Sequence, residues 1–283
     1  MGSSPSPDAE SMLSNAEAPA SPEPASRHCF AAHLGGCSKL RSREHYVSES
    51  VLRLVGEAVS ISGFPWQEKG IRDTVGVSSL RAGILCKSHN EMLGPLDEAG
   101  KAFVGAIKSI FDSLSGSSHQ LPASVDVDGM ALELWLLKML CGYLSAFSSE
   151  HVPRKWVDIL FRRAEMPDNW GLYFFGMSGK VSWFFNLVRM ISVPSKSGGI
   201  GGAKFGIGGL AMLLALGRPA FEDPRIISVH RPRSLVFASR ESEYSVDLSW
   251  LGRGGRSLRL QVGEECTREL PHPRSIVGPF STS

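Results

Sequence analysis

The chain lacks most of the features that assign a function class at sight. A formal net charge of only +2 gives no bulk electrostatic signature of a nucleic-acid or membrane-surface protein. Five cysteines, an odd count with no signal sequence ahead of them, do not make a disulfide framework. The amino-terminal segment has neither the basic start nor the apolar run of a secretory signal. The apolar stretch Phe205 to Leu216 is interrupted by glycine and far shorter than the roughly 20 residues that span a bilayer. These absences lead us to expect a cytoplasmic protein with no membrane segment. Gly176-Met177-Ser178-Gly179-Lys180 is too short for a phosphate-binding loop, and Val181 stands where Ser or Thr is required. The glycines at 206 and 208 lack a βαβ setting, so no nucleotide cofactor is expected. No internal repeat appears, and no Ser-His-Asp or Cys-His nucleophile can be argued from residue order.

What is present begins with an uneven distribution of charge. Residues 1–26 carry Asp8, Glu10, Glu17 and Glu23, no Lys or Arg, and are otherwise rich in Ser, Pro and Ala. They read as a disordered leader. Residues 27–46 reverse the sign, with Arg27, Lys39, Arg41 and Arg43 against Glu44 alone. Further on, Leu96, Ala99, Phe103, Ile107, Ile110, Phe111 and Leu114 recur at intervals of three and four and predict a helix from Pro95 to Leu114. A second helix is expected over 129–147 and a third over Val152–Glu165. The stretch Glu49–Ser60 is a short helix or a strand-flanking turn, and periodicity does not choose between them. Residues 75–86 suit a strand running into Cys86. Beyond Asn169, short β-prone runs (Leu172–Phe175, Val181–Phe185, Ser234–Phe237, Tyr244–Trp250, Ser257–Val262) predict a small antiparallel sheet, with Gly198–Gly209 as a flexible hairpin connection. The aromatic set Trp156, Trp170, Phe174, Phe175, Trp183, Phe184 and Phe185 reads as core rather than a base-stacking platform.

Four soft ligands fall in two pairs, Cys29 with Cys37 and Cys86 with His89. The Cys-x-x-His spacing of the second pair sets both side chains on one turn at a helix start, where a tetrahedral zinc can take them. The first pair is more widely spaced, and Gly35-Gly36 could supply the turn between its members. Zinc there would contribute folding energy to a region with little core of its own. His28 or His33 could replace one member. Cys141, in an apolar helix face, and Cys266 read as ordinary buried thiols.

Between the two pairs stands Ser42-Arg43-Glu44-His45, and Asn90 directly follows His89. In this order the chain resembles the HNH (ββα-metal) endonuclease superfamily, in its zinc-knuckle branch, over residues 27–115. The resemblance implies a zinc-stabilised treble-clef module at 27–120 and is silent on the rest; with the leader 1–26 and a helical and β-rich region at 121–283, the whole reads as an α+β protein of three parts. The resemblance also implies metal-dependent hydrolysis of DNA. His45 would be the general base, and Glu44 and Asn90 would act with it at the catalytic centre. A neutral imidazole can take a proton from water at physiological pH, and hard oxygen ligands from Glu44 and Asn90 suit Mg²⁺ or Mn²⁺. Adjacent strand residues point to opposite faces, so Glu44 and His45 share one site only on a twisted or bulged strand. The family's usual later histidine has no counterpart. Asp97, two turns beyond Asn90, is either a further cation ligand or an early-turn acid suited to the helix dipole. Arg41 and Arg43 either contact DNA phosphates or are simply solvated. The alternative to hydrolysis is a catalytically inactive zinc module binding nucleic acid or protein.

Overall fold

The computed structural model describes residues 29–45, 47–62, 67–68, 73–114, 122–147, 151–177, 187–195, 199–207, 210–217, 226–252 and 254–262. The leader 1–26, His28, the strand expected at Val181–Phe185 and Cys266 lie outside them. In chain order come β1 (Arg41–His45), α1 (Glu49–Val55), β2 (Ala58–Ser62), β3 (Asp73–Gly76) and β4 (Arg81–Cys86). Then follow α2 (Lys87–Met92), α3 (Gly94–Leu114), β5 (Ser124–Asp128), α4 (Gly129–Phe147) and α5 (Arg154–Leu160). The remainder is strand: β6 (Gly171–Met177), β7 (Leu187–Pro194), β8 (Ile200–Ile207), β9 (Leu210–Ala215), β10 (Ile226–His230), β11 (Ser234–Ala238), β12 (Glu243–Ser249) and β13 (Leu258–Gln261).

Among the described residues the strands form three sheets: β1-β4, a seven-stranded β10-β6-β9-β8-β7-β2-β3, and a four-stranded β13-β11-β12-β5. The expected small antiparallel sheet is thus two larger ones, and the amino-terminal half contributes to both. β2 pairs parallel with β7, and β5 pairs parallel with β12. One continuous hydrophobic core runs from Cys29 to Val262, across position 120. Gly198–Gly209 is not a loose connection, because residues 200–207 form β8, paired on both sides. Its glycines let strands approach closely: a Cβ on Gly202 would lie 2.2 Å from the Leu214 carbonyl oxygen. Glu49–Ser60 begins as the helix α1, and at Ala58 it passes into β2, a strand that neither reading included.

α4 is long and apolar enough in composition to cross a bilayer, which the Phe205–Leu216 comparison overlooked. It is instead the central helix of the core, with every residue from Ala131 to Leu144 buried by the rest of the chain. Each large side chain so removed from water contributes about 1.5–3 kcal/mol. Its start is capped by the Asp128 carboxylate, which accepts the Ala131 N–H at 3.0 Å. α3 packs against α4 at Gly100, where a Cβ would lie 2.3 Å from the Trp135 ring. β9 explains itself by period two. Met212 and Leu214 enter the main core, while Ala211, Leu213 and Ala215 pack with Phe175 on the other face.

Candidate metal centre

Cys29 opens a short turn tied to β4 by the Phe30 N–H, which bonds the Ile84 carbonyl at 3.1 Å. A single 3-10 turn over Ala32–Leu34 follows. Gly35 and Gly36 both adopt left-handed φ, +76° and +71°, a conformation that costs other residues about 1–2 kcal/mol each. This reversal returns the chain to Cys37. On the other side β4 ends at Cys86, whose extended backbone caps α2 while its Sγ accepts the His89 N–H. The imidazole then folds back one turn later.

The result is a convergence on one atom. His89 Nδ1 lies 3.4, 3.6 and 3.3 Å from the sulfurs of Cys29, Cys37 and Cys86, and all four ligand atoms lie within 4.8 Å of one another. A single imidazole nitrogen has one proton or one lone pair and cannot satisfy three thiols. A tetrahedral zinc with bonds of about 2.3 Å to sulfur and 2.0 Å to nitrogen requires S···N edges of about 3.5 Å. The four residues fit zinc. They form a Cys3His cluster that could hold a metal ion, and a tetrahedral ion there would have all four positions taken by protein. Burial, reinforced by the neighbouring thiols, pushes Cys29 up to about 12, so thiolates there call for a cation. Burial also pushes Cys86 up, but hydrogen bonds from His89 and Ser38 outweigh it and the net shift is downward. Burial holds His89 below the usual imidazole range, in the neutral form a ligand needs. The edge of Phe161 closes over the ring, 5.3 Å between centroids. His33 is no ligand: its Nε2 pairs with Asp158 at 3.2 Å. Cys141 is fully buried in α4, apart from the site.

The residues expected around a catalytic cation divide into two groups. β1 and β4 are antiparallel with a bulge, two residues of β4 (Gly83 and Ile84) facing Arg43 alone. Even so, Glu44 and His45 have separate partners. Glu44 and Asp97 are drawn together, but around the ammonium of Lys138, while Asn90 bonds to Glu44. Its Nζ lies 2.8 Å from Glu44 and 2.8 and 2.7 Å from the two Asp97 oxygens. The Lys138 side chain is 5% exposed. Ser48 donates a further hydrogen bond to Asp97 and accepts one from the Trp135 indole at 2.7 Å. Asn90 donates to Ser42 at 2.9 Å. Burial pushes the Glu44 carboxyl above its ordinary range, with Lys138 opposing. This cluster already holds its cation, covalently attached to α4, and in this arrangement it does not fit a divalent ion as well.

His45 sits elsewhere. Arg81 Nε donates to its Nε2 at 3.0 Å, and because arginine can only donate, the imidazole must be neutral with its proton on Nδ1. Nδ1 faces Glu49 at 3.5 Å. The ring is 6% exposed, and burial holds its pKa below the usual 6.5. The lone pair that a general base needs is taken up by Arg81. Arg41 and Arg43 are exposed; among the described residues neither makes an ion pair.

Sequence reasoning missed Lys138. The signal was a lone lysine in an otherwise apolar helix, five residues after Glu133, which is itself paired bidentately with buried Arg231 at 2.8 and 3.0 Å. Two charges in such a helix need partners. Comparison of the chain with protein-family models, with curated proteins and with solved structures gave no match.

Proposed function

We propose that this chain is a zinc-ordered, non-hydrolytic module of treble-clef type, built into a larger α+β scaffold, that binds nucleic acid through Arg41 and Arg43. The observation that carries the reading is Lys138. A tethered ammonium stands between Glu44 and Asp97, two of the groups that a hydrolytic cation would need, and His45 spends its lone pair on Arg81. The treble-clef assignment is supported by the order of parts: a knuckle with two cysteines, the antiparallel pair β1-β4, and α2 bearing the last ligand. Nucleic-acid binding is supported by two exposed arginines two residues apart on β1, beside the zinc site, where both can meet successive phosphates.

The test is one set of measurements on zinc-loaded full-length protein. Binding to a labelled duplex should weaken with salt, and each of Arg41→Gln and Arg43→Gln should lower the salt slope by about one. Plasmid nicking with Mg²⁺ or Mn²⁺ should be absent. A second reading, metal-dependent DNA hydrolysis with His45 as base, is favoured by one observation: Asn90 Oδ1 is buried with no hydrogen-bond partner among the described residues. Nicking that is lost in His45→Ala while zinc is retained would select it.

A further inference from the structure

A cleft of about 660 Å³ opens beside α4, bounded by the turn after α5 and the end of β12. Its size falls in the range of small-molecule sites, roughly 300–1,000 Å³. Met130, Leu134, Ile159 and Met166 supply an apolar floor. Over this floor stand Arg162 and Arg163, both exposed, and among the described residues neither guanidinium makes a hydrogen bond or ion pair. The acids of the cleft are turned to other partners or to solvent. Glu133 lines the cleft but is neutralised by Arg231. Asp128 is engaged at the start of α4, where the helix dipole also offsets its charge. Asp128 and Glu165 remain beside the two arginines, but neither pairs with them, so both guanidiniums are left to meet an anion.

Backbone strain gathers at the same place. The non-glycine residues with positive φ among the described residues are Arg162 (57°), Arg231 (44°) and Leu251 (46°). Arg162 and Leu251 line the cleft, and Arg231 holds its Glu133 wall. Residues held in this conformation concentrate at ligand sites. Leu251, an apolar side chain 87% exposed, stands at the rim where a ligand would cover it.

We propose that this cleft is a binding site for a small amphipathic anion, its apolar body on Met130 and Leu134 and its carboxylate or sulfonate on Arg162 and Arg163. The turn that carries Arg162 and Arg163 begins at Phe161, which packs on His89.

Zinc-loaded full-length protein is titrated with anilinonaphthalene sulfonate, followed by fluorescence, with decanoate and decanol as competitors. The expected result is a single saturable site from which decanoate displaces the dye about tenfold or more better than decanol, the ratio one charge-assisted contact provides. The double variant Arg162→Gln, Arg163→Gln changes exposed positions only. It should lose about tenfold or more in decanoate affinity with decanol unchanged. Met130→Trp, which fills the floor, should abolish both, with zinc content verifying the fold. Absence of saturable binding, equal competition by decanol, or an unaltered double variant would overturn the proposal.

Discussion

Replacing Lys138 with methionine keeps the length of the side chain and removes its charge. In the folded protein this leaves Glu44, 8% exposed, facing Asp97 with no cation between them. Breaking a buried ion pair from one side costs about 3–5 kcal/mol. The Asp97 oxygens keep the Ser48 hydroxyl, but Glu44 loses its 2.8 Å partner. For a chain of this size each kcal/mol moves the melting temperature by about 2–4 °C, so a drop of roughly 6–20 °C is expected. The Glu44 carboxyl is already pushed upward by burial, and in the variant it can relieve the repulsion by taking a proton. The loss should therefore shrink as pH falls into the range where Glu44 takes its proton. The smaller variant Lys138→Ala opens the space itself. Millimolar Mn²⁺ should stabilise that variant through Glu44, Asp97 and the Asn90 oxygen, by about 2.7 kcal/mol at a hundredfold excess over Kd, and leave the native protein unmoved. Thermal unfolding with and without Mn²⁺ measures both effects. A Lys138→Met variant within about 1 kcal/mol of the parent, or equal stabilisation of parent and Lys138→Ala by Mn²⁺, would refute the tethered-cation account.

Gly100→Ala should destabilise by about 1–3 kcal/mol or more, because its Cβ would meet the buried Trp135 ring at 2.3 Å; an unchanged denaturation midpoint would contradict the packing described. Arg231→Met leaves Glu133, fully buried, with the Leu172 N–H as its one remaining partner among the described residues, a loss of about 3–5 kcal/mol that Arg231→Met with Glu133→Leu should largely recover. Stability should also fall on mild acidification. Burial holds His45 and His230 below 6.5 when folded, so the unfolded chain binds more protons in the window just below that value. The contribution is complete above about 6.5 and is lost as pH falls toward the folded pKa values. Chemical denaturation at about pH 7.5 and 5.5 checks the sign, and a constant or rising stability would count against it.

The Cys/His cluster was legible because tetrahedral coordination restricts both residue type and spacing, and Cys86-x-x-His89 on one turn satisfies it locally. α3 was legible for a similar reason, its apolar residues following one helical face. The partners of Glu44 and His45 were not. Lys138 lies 94 positions from Glu44, and Arg81 lies 36 from His45, so both contacts depend on tertiary packing that no local pattern records. The same holds for β2, whose parallel partner β7 lies more than a hundred residues downstream. Gly94-Pro95 does break the helix at Leu93, yet Asp97 still reaches the cluster, because α3 restarts at once and packs on α4. The bulge at Arg43 was anticipated as the condition for a shared site; it is present without bringing the two side chains together.

Everything above stands on a metal joining the knuckle to α2. Metal analysis of the purified full-length chain should find one equivalent of zinc, bound by Cys29, Cys37, Cys86 and His89 and lost from both Cys29→Ser and Cys86→Ser. A protein that folds and melts identically with no stoichiometric zinc, or that keeps its zinc in both variants, would contradict the account.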